Sequence, residues 1–129
     1  MSNEEVIKVL VVDDIAETRE NIRKLLQFEA DFEIVGAARN GHEGIELAKE
    51  LQPDVILMDI QMPVMDGPTA TKELRKRYSK EELPVIAMTA HAMSGDREKS
   101  LAAGMNAHIT KPIVLNELFD TLAHWIVRH

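Results

Sequence analysis

Hydrophobic positions along this chain follow two alternating rhythms. Val9-Leu10-Val11-Val12, Val55-Ile56-Leu57-Met58 and Val85-Ile86-Ala87-Met88 are continuous apolar runs, the pattern of strands covered on both faces. Weaker strand-like segments begin near Phe32 and at Ala107-His108-Ile109-Thr110, and the first run extends back to Ile7. Between them the spacing changes to three and four residues, which predicts helices. Residues 16–29 place Ile22, Leu25 and Leu26 on one face, and residues 42–51 do the same for Ile45, Ala48 and Leu51 before Pro53. Pro68 opens a third helix in a tolerated first-turn position. Residues 95–103 run up to Gly104, a C-terminal cap. Leu115, Leu118, Phe119, Leu122, Ala123 and Ile126 form the stripe of a last helix.

Strand and helix thus alternate five times, which predicts an α/β fold with a parallel sheet covered on both faces. Right-handed crossovers narrow the topology. No linker or low-complexity tract interrupts the pattern, so residues 1–129 are expected to form one domain, with an ordered core of about 6–128. At 129 residues and 45% hydrophobic content, the chain can build a real core. Its formal net charge of -7 argues against direct binding of nucleic acid, whose phosphates need a basic face. With no cysteine there is no disulfide or thiolate chemistry. The polar, acidic start Met1-Ser2-Asn3-Glu4-Glu5 is unlike a signal peptide, and no apolar run approaches a membrane span. A soluble cytoplasmic domain is expected.

The candidate chemistry lies where the strands end. The first run stops at Asp13-Asp14, the third strand at Asp59, the fourth at Thr89, the fifth at Lys111-Pro112. In an open parallel sheet these carboxyl ends share one edge. Three carboxylates so placed repel one another unless a cation is present. Magnesium suits an all-oxygen set that leaves room for water, with manganese as a substitute. A carboxylate can attack phosphorus, a metal can offset the growing negative charge, Lys111 can neutralise a phosphoryl oxygen, and Thr89 can donate to another. Each residue alone has an ordinary explanation, such as a turn, a cap or a solvated lysine. Their coincidence at four strand ends is the informative feature.

Taken together, the segment 9–14, Pro53-Asp54 through Asp59, Met62-Pro63 with Met65-Asp66-Gly67, Thr89-Ala90, Ala103-Gly104 and Lys111-Pro112 resemble the receiver domains of two-component response regulators. The resemblance covers nearly the whole chain. It implies a doubly wound, flavodoxin-like (βα)5 fold with strand order 2-1-3-4-5. It implies that Asp59 accepts a phosphoryl group from a histidine kinase or histidine phosphotransfer protein. Magnesium would be held by Asp14, Asp59 and the Gln61 backbone carbonyl, with Asp13 acting through a water. Lys111 would pair with Asp59, its bond to Pro112 would be cis, and Thr89 would carry the switch. The fourth helix, fifth strand and fifth helix would form the face for a downstream protein. There the usual aromatic residue is replaced by His108, whose charge responds to pH near 6.5. The donor would dock on helix one, with Ile15, Ala16, Arg19 and Ile22 near its start beside Pro112; Ile15 is the better contact and Ile22 has a core position as its alternative.

Other features weigh less. The seven methionines read as core filler. His91 is a poor ligand for a hard ion, and His42, His124 and His129 have no ligand spacing. Residues 34–41 resemble free-standing regulators, whereas Thr89-Ala90-His91-Ala92-Met93 and Asp96-Arg97-Glu98 resemble receivers of hybrid kinases. A recombined or designed chain with a seam near residues 59–67 would explain that difference; natural variation is the simpler reading. A haloacid-dehalogenase-like phosphatase would need a second Asp two residues after Asp59, where Gln61 stands. A receiver-like interaction or scaffold module that is not phosphorylated is the other alternative.

Overall fold

The computed structural model describes residues 6–90 and 94–126. Its elements follow the predicted alternation: β1 (Ile7–Val12), α1 (Ala16–Leu26), β2 (Phe32–Ala38), α2 (Gly41–Leu51), β3 (Val55–Asp59), α3 (Gly67–Leu74), β4 (Val85–Thr89), α4 (Ser94–Ala102), β5 (Ala107–Thr110) and α5 (Leu115–Trp125). All four strand pairings are parallel and the sheet order is β2-β1-β3-β4-β5. The topology reverses direction between β1 and β3, the crevice position where open α/β sheets build sites.

Alternate residues of the three central strands feed two separate cores. Leu10, Val12, Ile56, Met58, Val85 and Ala87 meet α2 and α3 through Ile45, Ala48, Ala70 and Leu74. Val9, Val11, Val55, Leu57, Ile86 and Met88 meet α1 and α5 through Ile22, Leu26, Leu118 and Leu122. This division explains the unbroken apolar runs, since both faces of each strand are buried. Met58, Met88 and Met105 are fully buried and serve as core filler. Helix α1 is shorter than its expected span of residues 16–29. It stops at Leu26 because Glu29 N–H turns back to the Leu26 carbonyl and Phe32 N–H to that of Glu29. Phe28 is left almost fully exposed at this turn.

Two helix ends place neighbouring loops. Gly104 closes α4 as predicted: its φ is +104°, its N–H donates to Leu101, and Met105 N–H reaches the Ser100 carbonyl, the paired bonds of a Schellman cap. Asp66 caps α3 by accepting from Thr69 N–H at 2.9 Å. Between β3 and α3 the chain makes an unusual turn. Met65 N–H donates to the Pro63 carbonyl at 2.7 Å around Val64, whose φ is +70°. This is the rarer, strained form of γ-turn, here centred on a β-branched residue.

Its surroundings enforce the turn. The Met65 carbonyl accepts from Gly41 N–H at 2.9 Å, and a Cβ on Gly67 would stand 2.3 Å from the Asp59 carbonyl oxygen. Val64 itself is 84% exposed, so packing does not offset its strain. Val64→Gly is therefore expected to raise stability by about 1 kcal/mol, measured as an increase in the urea midpoint with an unchanged m-value.

Candidate functional site

At the carboxyl edge of the sheet, β1 delivers Asp13 and Asp14, β3 delivers Asp59, β4 delivers Thr89 and the end of β5 delivers Lys111. A cleft of about 160 Å³ is lined by Asp14, Ile15, Asp59, Gln61, Thr89 and Lys111. Carboxylate oxygens of Asp13, Asp14 and Asp59 lie within 4.8 Å of one another. Asp13 is fully buried, Asp59 is 6% exposed, and Asp14 faces solvent.

Local bonds hold this arrangement. Ile15 N–H donates to Asp13 Oδ1 at 2.8 Å, and Arg19 Nη1 donates to the Asp13 carbonyl at 2.7 Å. The Asp13 N–H donates to the Ala38 carbonyl, which fixes the strand end against β2. Lys111 Nζ lies 2.8 Å from Asp13 Oδ2 and 3.4 Å from Asp59 Oδ1. Asp13 Oδ2, although paired with that ammonium, makes no well-formed hydrogen bond.

One ammonium among three carboxylates leaves the cluster over-charged. Like charges at this separation repel by on the order of 3–4 kcal/mol at an effective dielectric of about 20. Burial first, then Asp13, pushes the Asp59 carboxyl up to about 6; Lys111 opposes them and Asp14 adds a smaller push. Burial lowers the Lys111 ammonium, but its pairing with the Asp13 and Asp59 carboxylates outweighs that and raises it above its ordinary value. A buried, imperfectly bonded carboxylate oxygen and an excess of negative charge both fit a hard divalent cation. Asp13, Asp14 and Asp59 are the residues that could hold it.

The remaining predicted residues divide clearly. Thr89 is buried and Ile15 half exposed, both at the cleft, and Gln61 lies on its rim. The Lys111–Pro112 bond is cis. Ile22 belongs to the core rather than to a docking face, as its alternative reading had it, and Arg19 is committed to the Asp13 carbonyl. The surface that α1 offers instead is a groove of about 610 Å³ lined by Glu17, Thr18, Asn21, Lys24, Pro112 and Ile113. His108 is half-buried on β5. Burial and Arg97 lower its pKa below the ordinary 6.5, and Glu117 opposes them. His124 lies edge-on to Trp125 with ring centroids 4.9 Å apart, while His91 and His129 lie outside the described residues. The sequence reading missed the Arg19–Asp13 bond, because an arginine on α1 carries no signal of which backbone carbonyl it will reach.

Comparison with known proteins accounts for this constellation. The response regulator receiver domain family matches residues 9–123. This chain belongs to that family: it is a receiver domain of two-component signalling, with the flavodoxin-like fold and Asp13, Asp14 and Asp59 in its acidic pocket. It is 41% identical over 117 residues to the signal transduction histidine-protein kinase BarA of Escherichia coli K12, an alignment spanning 91% of this chain and 12% of BarA. It is 37% identical over 118 residues to the polar-differentiation response regulator DivK of Brucella anthropi, spanning 92% of this chain and 94% of DivK. Among solved structures, the receiver domain of sensor histidine kinase PA1611 from Pseudomonas aeruginosa PAO1 aligns with a TM-score of 0.82 and 34% identity. That alignment covers 94% of this chain and 98% of the other, and that structure has a magnesium ion coordinated in its active-site cleft. Among the described residues here, no helix is long and apolar enough to cross a membrane.

The raised Asp59 carboxyl has a consequence for folding. A native value near 6 against an ordinary 3.8 means the folded state holds its proton longer than the unfolded state. The Asp59 contribution to the stability of the metal-free protein therefore falls as pH rises from about 4 to about 6, by on the order of 1–3 kcal/mol. Urea titrations in chelator across that window are expected to show the fall in the wild type. Asp59→Asn should abolish most of it, and added Mg2+ should restore stability at pH 7.

Proposed function

We propose that this chain is the phosphoacceptor of a two-component or phosphorelay system, with Asp59 as the acceptor. The observation that carries the reading is Lys111 bridging the buried Asp13 and Asp59, in a cleft shared with Asp14 and Thr89. An oxygen of Asp59 attacks the phosphorus of a phosphohistidine. The P–N bond breaks, and the imidazole nitrogen keeps the electron pair and takes a proton. Asp14, Asp59 and the Gln61 backbone carbonyl would hold Mg2+, or Mn2+ in its place, with Asp13 contributing through a bound water. When bound, the ion offsets negative charge growing on the phosphoryl oxygens. Lys111 neutralises one phosphoryl oxygen and Thr89 donates to another. Water later attacks phosphorus and releases inorganic phosphate, which regenerates Asp59.

The donor is a histidine kinase or histidine phosphotransfer protein that docks along α1 and the Pro112–Ile113 loop, where the large groove lies. Residues 1–129 act as one receiver unit, and the working compartment is the cytoplasm. The downstream target is a protein that reads the face of α4, β5 and α5, with His108 at its centre; nucleic acid is not contacted directly. A second reading, an interaction module that is never phosphorylated, rests on His108 replacing the usual aromatic residue at that face.

Incubation with Mg2+ and acetyl phosphate is expected to add one phosphoryl group to the wild type by intact-mass measurement. Asp59→Asn should show no gain. An equal gain in both would exclude Asp59, and no gain in the wild type would favour the interaction module.

A further inference from the structure

The pole of the sheet opposite the acidic cleft carries a polar node outside the proposed phosphotransfer chemistry. Arg75 stands at the C-terminal cap of α3. Its Nε donates to the Gly104 carbonyl at 2.8 Å and its Nη2 to Asn106 Oδ1 at 2.9 Å. Its Nη1 reaches the carbonyls of Leu83 at 3.0 Å, Ser79 at 3.2 Å and Tyr78 at 3.4 Å. Asn106 is 7% exposed; its Oδ1 also accepts from Val85 N–H at 3.0 Å, and its Nδ2 donates to the Lys80 carbonyl at 3.1 Å. One guanidinium therefore joins the end of α3, the loop before β4 and the turn between α4 and β5. A Cβ on Gly104 would come 2.8 Å from Arg75 Cγ, so the arginine stem rests directly on the turn that ends α4.

Few of the described side chains of helix α4 are buried. Among its side chains from residue 97 to 102 only Ser100 is buried, and Leu101 is 45% exposed. The buried anchors Ala103 and Met105 lie just past its C-terminal end, inside the cap. Its N-terminal end follows Thr89 and Ala90, which line the cleft. The helix thus has a firmly bonded end at one pole and leads back to the cleft at the other.

We propose that Arg75 is a positioning residue that pins the C-terminal end of α4. Movement begun at Thr89 then swings the helix as a lever about Gly104 instead of displacing it whole. The lever rests on the phosphoacceptor reading; the pin does not. Partly buried carbonyls that lose a charged donor lose more than a neutral hydrogen bond, and a fork of five donors has no equivalent in lysine.

Amide hydrogen exchange on the whole chain separates the two parts. In Arg75→Met without ligand, exchange at Ala103, Gly104 and Met105 is expected to accelerate about tenfold or more, with the amides of α2 and β1 unchanged. Arg75→Lys, the milder change should Arg75→Met fail to fold, is expected to show a smaller acceleration at the same three amides. Unchanged rates there, or uniform acceleration through the domain, would overturn the pin. With Mg2+ and beryllofluoride as the phosphoryl mimic, the wild type should change protection at Glu98 and Lys99 but not at residues 103–105, and the change should spread to 103–105 in the variant. A wild-type response uniform along α4 would overturn the lever. No response even at residues 59–61 would overturn the phosphoacceptor reading and the lever with it, leaving the pin to its own test.

Discussion

Negative charge crowded at one sheet edge is the constraint around which this domain is arranged. Asp13 and Asp59 are buried at the ends of neighbouring strands because β1 and β3 are adjacent in the sheet. For Asp59, burial and the repulsion of Asp13 favour protonation, and a single ammonium from the end of β5 offsets only part of that cost. A site with this imbalance is poised to take up positive charge. It also has a carboxylate, Asp59, beside a hydroxyl and an ammonium that can receive a group bearing negative oxygens. The folding penalty and the binding capacity are two descriptions of the same electrostatics, which is why perturbed carboxylates mark functional sites.

Holding such a cluster requires rigid surroundings at close range. The loop after β3 is fixed by the approach of Gly67 to the Asp59 carbonyl, by Gly41 N–H on the Met65 carbonyl, and by a strained turn at Val64. The loop after β1 is fixed by Ile15 N–H and Arg19 on the two ends of Asp13. At the opposite pole, Arg75 and Asn106 bind backbone carbonyls of two segments, the loop before β4 and the turn before β5. Between these two braced poles, the described side chains of α4, residues 97–102, include one buried residue, Ser100. A domain that is stiff where charges must be kept and loosely covered on one flank has the mechanical contrast that a switch needs.

The fold and the main site residues were legible because both depend on periodic or local signals. Doubly buried strands leave unbroken apolar runs at 9–12, 55–58 and 85–88, and Gly104 announces the end of α4 through a positive φ that other residues resist. Asp13, Asp14, Asp59, Thr89 and Lys111 stood out because parallel strands bring their carboxyl ends to one edge. Features set by particular hydrogen-bond partners, near or remote in the chain, were not legible. Apolar spacing carries α1 on to residue 29, past the Leu26–Glu29 turn, and gives no sign that Arg19 bonds the Asp13 carbonyl. Arg75, in a run of basic residues, looks like any solvated arginine until Gly104 and Asn106, about thirty positions away, are brought beside it.

By itself, then, the order of residues determined the alternation of strands and helices, the two-faced burial of the sheet and the set of charged groups at its carboxyl edge. These follow from side-chain periodicity and from strand direction, which neighbouring residues encode. Tertiary structure alone decided the 2.8 Å pairing of Lys111 with Asp13, the strained turn at Val64 and the anchoring of α4 by Arg75. Each of these depends on distances between segments remote in the chain, and hydrogen bonds and charge pairs are sensitive to fractions of an ångström that no local pattern records.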